Sequence, residues 1–395
     1  MFPRLLMLAA AVLLGGTVAL TQQRRSGAFD QSINHPSIKY LTADSNTVVD
    51  RLNAKLRDGS AKLEFDGKTG YLTSVLKLLD VPVESQVMVY TQTSLQAQHI
   101  RMDNPRAIYF NDSVSVAYIR GAGLIEVVAQ DNAMGSIFYT VHEVPAQQPT
   151  FGRDSQCLRC HLSWDTLGVP GLSILTTFPR KSEMDYANGG FVDHYKPIEE
   201  RWGGWYVTGK QVPARHMGNF PLILPKGVTT PPPVRASLEG QFDLSGYLTP
   251  YSDIAALMVL DHQVHFSNLV TRAAWESRLG ETMRIAEAAD ALADYMLFVD
   301  EAAIPAPGIE GSSGFTEKFS ARGKLYELDL KTRLQKYPLS YMIFSPAFES
   351  LPDAPKNLVM GKINRVLSGE ITGAKYAHLT PQLRKEIQQI LQINK

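Results

Sequence analysis

Cys157 and Cys160 are the only cysteines in this 395-residue chain, they stand three positions apart, and His161 follows at once. On a turn of helix, two thiols at that spacing can add to the two vinyl groups of one porphyrin, and the adjacent imidazole is then held beneath the iron as its ligand. Cys157-Leu158-Arg159-Cys160-His161 therefore reads as a covalent attachment site for a single haem c. Chance is a poor rival, because two cysteines and nine histidines scattered over this length would fall into the pattern about once in ten thousand sequences. A redox dithiol does not need the His and usually follows a strand in a βαβ unit, which the sequence does not display. Zinc would need a fourth donor.

The group on the far side of the iron decides what such a haem does. Met217, in Ala-Arg-His-Met-Gly-Asn, is the expected second iron ligand beside His161. A Met there closes the site and raises its potential, which suits electron transfer. Gly218 and Asn219 permit a sharp turn, and the polar neighbours argue against a simple core role. His216 and Arg215 offer the alternative, an open enzymatic or gas-binding site in which His216 moves protons and Arg215 stabilises negative charge. Met184 and His194 are lesser candidates for the same position. Trp202-Gly203-Gly204-Trp205-Tyr206 is expected to enclose the macrocycle, with Trp205 at its face, since glycines allow close backbone approach and aromatic rings exclude water. Arg201 and Arg215 match the two propionates in a bidentate way, in competition with Arg153 and Arg159. His262 and His265, at i and i+3 on a helix, read as hydrogen-bonded structural residues, because no H-E-x-x-H motif stands there.

The C-x-x-C-H element marks the c-type cytochromes. The stretches Gln156–Gly171, Arg201–Gly209, Arg215–Asn219 and Leu328–Phe348 resemble those of an uncharacterised group of exported bacterial proteins with one such haem. The resemblance implies an exported haem protein and assigns no activity beyond that. A fainter similarity to cytochrome P460 rests on the Phe-Tyr-Thr strand ahead of the motif. Small electron-transfer cytochromes carry the motif near the start of a helical domain. Here it falls at position 157 behind a run of strands, so their fold is not implied.

Those strands are legible from punctuation. Short β-branched and aromatic runs separated by Asn-Asp, Gly-Ala-Gly and Asp-Asn-Ala-Met-Gly predict an antiparallel meander over 87–144. Helices are predicted over 45–57 and 71–79 ahead of it. An irregular region follows over 150–225, with one strand at 205–208. Tyr251–Ala303 holds only Gly280 as a breaker and keeps a helical rhythm, so one or two long helices are predicted there. Further helices are expected within 338–368, and Thr380-Pro381 opens a last one with Thr as N-cap. The fold class is α+β, a β meander in the first half, an irregular haem-binding middle and a mainly helical second half. By composition the chain divides into 1–20, a signal peptide or N-terminal anchor; 30–225, a β-rich haem-binding region; 226–248, a Pro/Gly-rich connector; and 249–395, a helical region.

Met1–Leu20 carries Arg4 ahead of an apolar run, the pattern of an export signal, and the apolar stretch Leu5–Leu20, at 16 residues, is short of the roughly 20 that a membrane span needs. Haem c is attached outside the cytoplasm, so signal and motif agree on a periplasmic or otherwise exported protein, with membrane contact only through a retained N-terminal segment. The 39 basic and 39 acidic residues balance, which excludes the concentrated basic face that nucleic acid requires. The expected partner is a redox protein.

Overall fold

The computed structural model describes residues 33–177, 189–223, 232–280 and 282–393. The segment 1–20, Met184 and the first part of the connector lie outside the described residues. Helix α1 (Val48–Asp58) starts at a reciprocal cap: Asp50 N–H donates to Thr47 Oγ1 over 3.1 Å and Thr47 N–H to Asp50 Oδ2 over 2.9 Å. Helix α2 (Leu72–Leu78) follows.

The meander forms as a six-stranded antiparallel sheet whose spatial order follows the chain. Its strands are β1 (Val87–Val89), β2 (Arg106–Phe110), β3 (Val114–Tyr118), β4 (Leu124–Asp131), β5 (Gly135–His142) and a short β6 (Gly152–Arg153). Strand alternation gives the sheet two different faces. Val114, Val116, Ile125, Val127 and Ala129 point one way and pack with α1 and α2 into one hydrophobic core. Ile108, Ser115, Ala117, Glu126, Val128 and Phe138 point the other way, and the register sets Ile108 beside Ala117, Ala117 beside Glu126, and Val128 beside Phe138.

Beyond β6, a short turn leads into helix α3 (Leu158–His161). The region expected to be irregular also holds a two-stranded ladder, β7 (Ile174–Thr177) with β8 (Gly189–Val192). The strand expected at 205–208 is reduced to isolated bridges, Trp205 to Val89 and Thr208 to Asp253. Its alternating residues pack into two different cores instead of joining one ladder.

The helical half is built on α4 (Ile254–Leu279). Asp253 caps it through Oδ1, which accepts from Ala255 N–H at 2.8 Å, and its Oδ2 accepts from Ser312 and Ser313 N–H at 2.7 and 2.8 Å. Gly280, at φ 81°, ends it in the left-handed conformation. The helix is buried on nearly every side, so it reads as apolar without a single stripe. Helices α5 (Thr282–Met296), α6 (Phe315–Ser320), α7 (Pro346–Glu349), α8 (Asp353–Leu367) and α9 (Pro381–Ile393) complete this half. Thr380 caps α9, accepting from Leu383 N–H over 3.2 Å. The second core joins α4–α9 to Val87, Val89, Phe110, Trp202, Trp205 and Val207, so packing crosses from the strands into the helices. The molecule is α+β. Among the described residues no helix is long and apolar enough to cross a membrane.

Candidate functional site

Backbone bonding to the sheet fixes where the two cysteines and His161 stand. Strand β6 pairs with Tyr139 and Thr140 of β5, and Asp154 N–H then donates to Phe138 O over 2.9 Å. The Asp154 carboxylate accepts from Gln156 N–H at 2.9 Å and opens the turn that runs into α3. At the far end of α3, His161 Nδ1–H donates to Gly171 O at 3.1 Å, and Gly171 N–H returns a bond to His161 O at 3.0 Å. A carbonyl can only accept, so Nδ1 carries the proton and Nε2 keeps its lone pair. Gly171 has no room for a side chain: a Cβ there would stand 2.0 Å from Asn268 Oδ1. Asn268 of α4 in turn donates to Leu172 O over 2.7 Å, so the central helix buttresses the loop that orients His161.

Cys157, Cys160 and His161 all line one cavity of about 370 Å³, within the size range of small-molecule and cofactor sites. The second face of the sheet forms one wall. Leu172–Leu175, Trp205, and Leu260 and Val264 of α4 complete it. Phe138 packs against the His161 ring with centroids 5.0 Å apart. Burial, with the Asp154 and Glu126 carboxylates nearby, pushes the Cys157 thiol up to about 12. Burial also holds His161 below its ordinary value, which favours the neutral imidazole a metal requires. Cys157 and Cys160 do not form a disulfide with each other.

The cavity also contains charge that no local sequence pattern marks. Arg106 Nη2 lies 3.1 Å from Glu126 Oε2 and also donates to Ser94 Oγ, while the buried Nε–H of Arg106 has no acceptor. The available signal was a charged residue in an otherwise apolar strand, Arg106 ahead of Ala-Ile-Tyr-Phe and Glu126 between Ile125 and Val127. Only the register brings the two together.

The expected site residues divide. Cys157, Cys160, His161, Trp205 and Arg159 border the cavity. Trp205 is held by its indole N–H to Leu175 O at 2.9 Å. Met217, His216, Arg215 and Arg201 are not among its lining residues. Met217 N–H donates to Arg201 O at 2.9 Å, and the buried His216 ring packs edge-on to Trp202. Arg215 is exposed. The Arg201 guanidinium is fully buried and turned to α4: Nε donates to Lys196 O at 2.7 Å, Nη2 to His194 O at 3.1 Å, and Nη1 lies 3.5 Å from Asp261 Oδ2. Gly203 serves chain packing, since a Cβ there would meet Thr177 O at 2.0 Å. Arg153 donates to Ala43 O at 3.1 Å. His194 and His262 bond to each other through Nδ1 at 3.1 Å, and His262 Nε2 meets Ser340 Oγ at 2.7 Å. Among the described residues no three or more His, Cys, Asp and Glu side chains are grouped to hold a metal ion by themselves.

No family model, curated protein or solved structure matches the chain.

Proposed function

We propose that the chain is an exported single-haem c-type cytochrome acting in electron transfer with a redox partner protein. One haem c is held through Cys157 and Cys160, with His161 as the proximal iron ligand. The observation that carries this reading is the bond from His161 Nδ1–H to Gly171 O, which leaves Nε2 as the coordinating nitrogen at the wall of a cavity that both thiols also line. Bound haem supplies one-electron chemistry and an iron that can take a further ligand. The chain's own residues do the rest. Cys157 sits where a charged thiolate is disfavoured but an uncharged thioether is not, which suits vinyl addition better than a zinc thiolate or a redox dithiol. Phe138, Leu260 and Val264 give the cavity an apolar lining. Cys160 and Arg159 are exposed, so the attachment edge is open to a docking protein.

The second reading, an open-site haem protein, is favoured by the polar Arg106–Glu126 pair inside the cavity and by the position of Met217 outside its lining. In that case the charged side chains of the site include Arg106 and Glu126, in place of His216 and Arg215.

The test is a pyridine haemochrome assay with intact mass on protein matured in a host that assembles haem c. One haem per chain is expected in wild type, and none covalently bound in the double variant Cys157→Ser/Cys160→Ser. Colourless wild-type protein without the added mass overturns the proposal. Cyanide added to the ferric protein separates the two readings: direct binding supports the open site, and binding limited by ligand displacement supports electron transfer.

A further inference from the structure

We propose that Arg106 is the anion-holding residue of the cavity: its free Nε–H takes an anionic oxygen, from a carboxylate or a small oxyanion, while Ser94 and Glu126 hold Nη2. The side chain is only 17% exposed and leaves β2 on the sheet face that forms the cavity wall. Nη2 donates to Ser94 Oγ and lies 3.1 Å from Glu126 Oε2. Nε–H is buried and has no acceptor. A guanidinium does not lose its proton, so this donor stays charged and unsatisfied until an acceptor enters the cavity. Glu126 balances the charge of Arg106 and holds the group in place, and the geometry then offers a hydrogen bond more than a bare field.

The other arginines expected to meet an anion are placed differently. Arg201 spends its donors on Lys196 O, His194 O and Asp261, and Arg215 lies away from the cavity. Arg159 borders the cavity from an exposed position.

The anionic oxygen has two possible sources with one chemistry: a propionate of the cofactor, which rests on the haem reading, or a small anion from solution such as nitrite or formate. The experiment uses the full chain matured with haem, in wild type, Arg106→Leu and Arg106→Leu/Glu126→Leu. The double variant removes both charges together and strands no buried carboxylate. Arg106→Lys, which keeps the charge and gives up the Nε–H, serves if neither of the others folds. After haem content is fixed by pyridine haemochrome, resonance Raman reads the propionate bending band and calorimetry reads nitrite and formate binding. A band that shifts in the variants assigns the site to the propionate. An affinity for nitrite or formate that falls at least tenfold, with the band unmoved, assigns it to the solution anion. Bands and affinities equal to wild type overturn the proposal. Wild type without haem overturns the haem reading separately; the calorimetry then decides alone, and anion binding indifferent to Arg106 overturns this proposal too.

Discussion

Burial at the cavity wall, helped by Asp154 and Glu126, pushes the Cys157 thiol from about 9 up to about 12. An acid with a raised pKa stays protonated until the pH reaches that value, so at pH 8 its thiolate fraction is roughly three orders of magnitude below that of an ordinary cysteine. In haem-free protein, iodoacetamide should therefore alkylate Cys157 at pH 8 at least a hundredfold more slowly than in the unfolded chain, with the rate still climbing tenfold per pH unit at pH 10. Mass spectrometry of the labelled peptide follows this, and equal rates in folded and unfolded protein would refute the desolvated wall. The same contrast explains which parts of the site the sequence revealed. Covalent chemistry fixes the spacing of Cys157, Cys160 and His161 in the chain itself, so those residues are legible one after another. Arg106 and Glu126 are twenty residues apart and meet only through the ladders from β2 to β3 and β3 to β4, which no local pattern specifies. Arg201 shows the converse. A guanidinium beside tryptophans suggests a propionate partner, yet folding turns it onto the backbone of Lys196 and His194.

Helix α4 positions the site while carrying a buried charge of its own. Asp261 accepts from the Trp202 indole N–H at 3.0 Å and lies 3.5 Å from Arg201; both side chains are fully buried, and burial outweighs the guanidinium and pushes the Asp261 carboxyl up to about 7. Removing one partner of such a pair leaves an uncompensated ion, whereas removing both leaves ordinary packing. Asp261→Leu is expected to cost about 3–5 kcal/mol by urea unfolding, and Arg201→Met/Asp261→Leu to recover most of that loss. A double variant as unstable as the single one would show that the loss does not come from the stranded Arg201 charge. At this scale the sequence was most readable where an element satisfies itself locally. The meander declares itself by period and turn residues, α4 by its long breaker-free run, and α9 by Thr380-Pro381. The β7–β8 ladder, the two-residue β6 and the six-residue α6 carry too few residues to display a period. They form because neighbouring elements supply their partners.

Across the whole molecule, burial acts on acids and bases in opposite senses, and the two oppose each other over one pH window. Burial pushes His216 down to about 4, His262 to about 3 and His265 to about 4, while it raises Glu143 and Glu301 to about 7. An unfolded imidazole titrates near 6.5, so these histidines contribute stability above that pH and lose it as the pH falls toward 4. The carboxyls have the reverse sign. Their folded values lie above the unfolded value near 4, so their contribution is full below pH 4 and is lost as the pH rises through 7. Between about pH 6.5 and 4 the folded chain keeps carboxyl protons while the unfolded chain gains imidazole protons, and the two slopes offset. Glu301 is the residue at which to separate them, because its Oε1 accepts from Leu334 N–H at 2.8 Å and a glutamine keeps that acceptor. Glu301→Gln removes one of the opposing protons. Its unfolding free energy should therefore fall more steeply than wild type between pH 6.5 and 4.5, by up to about 1.4 kcal/mol per pH unit. Urea titrations at successive pH values measure both slopes. Parallel curves would mean that Glu301 is ionised in the folded protein, and that the acid limb is set by the buried imidazoles without a counterweight from this carboxyl.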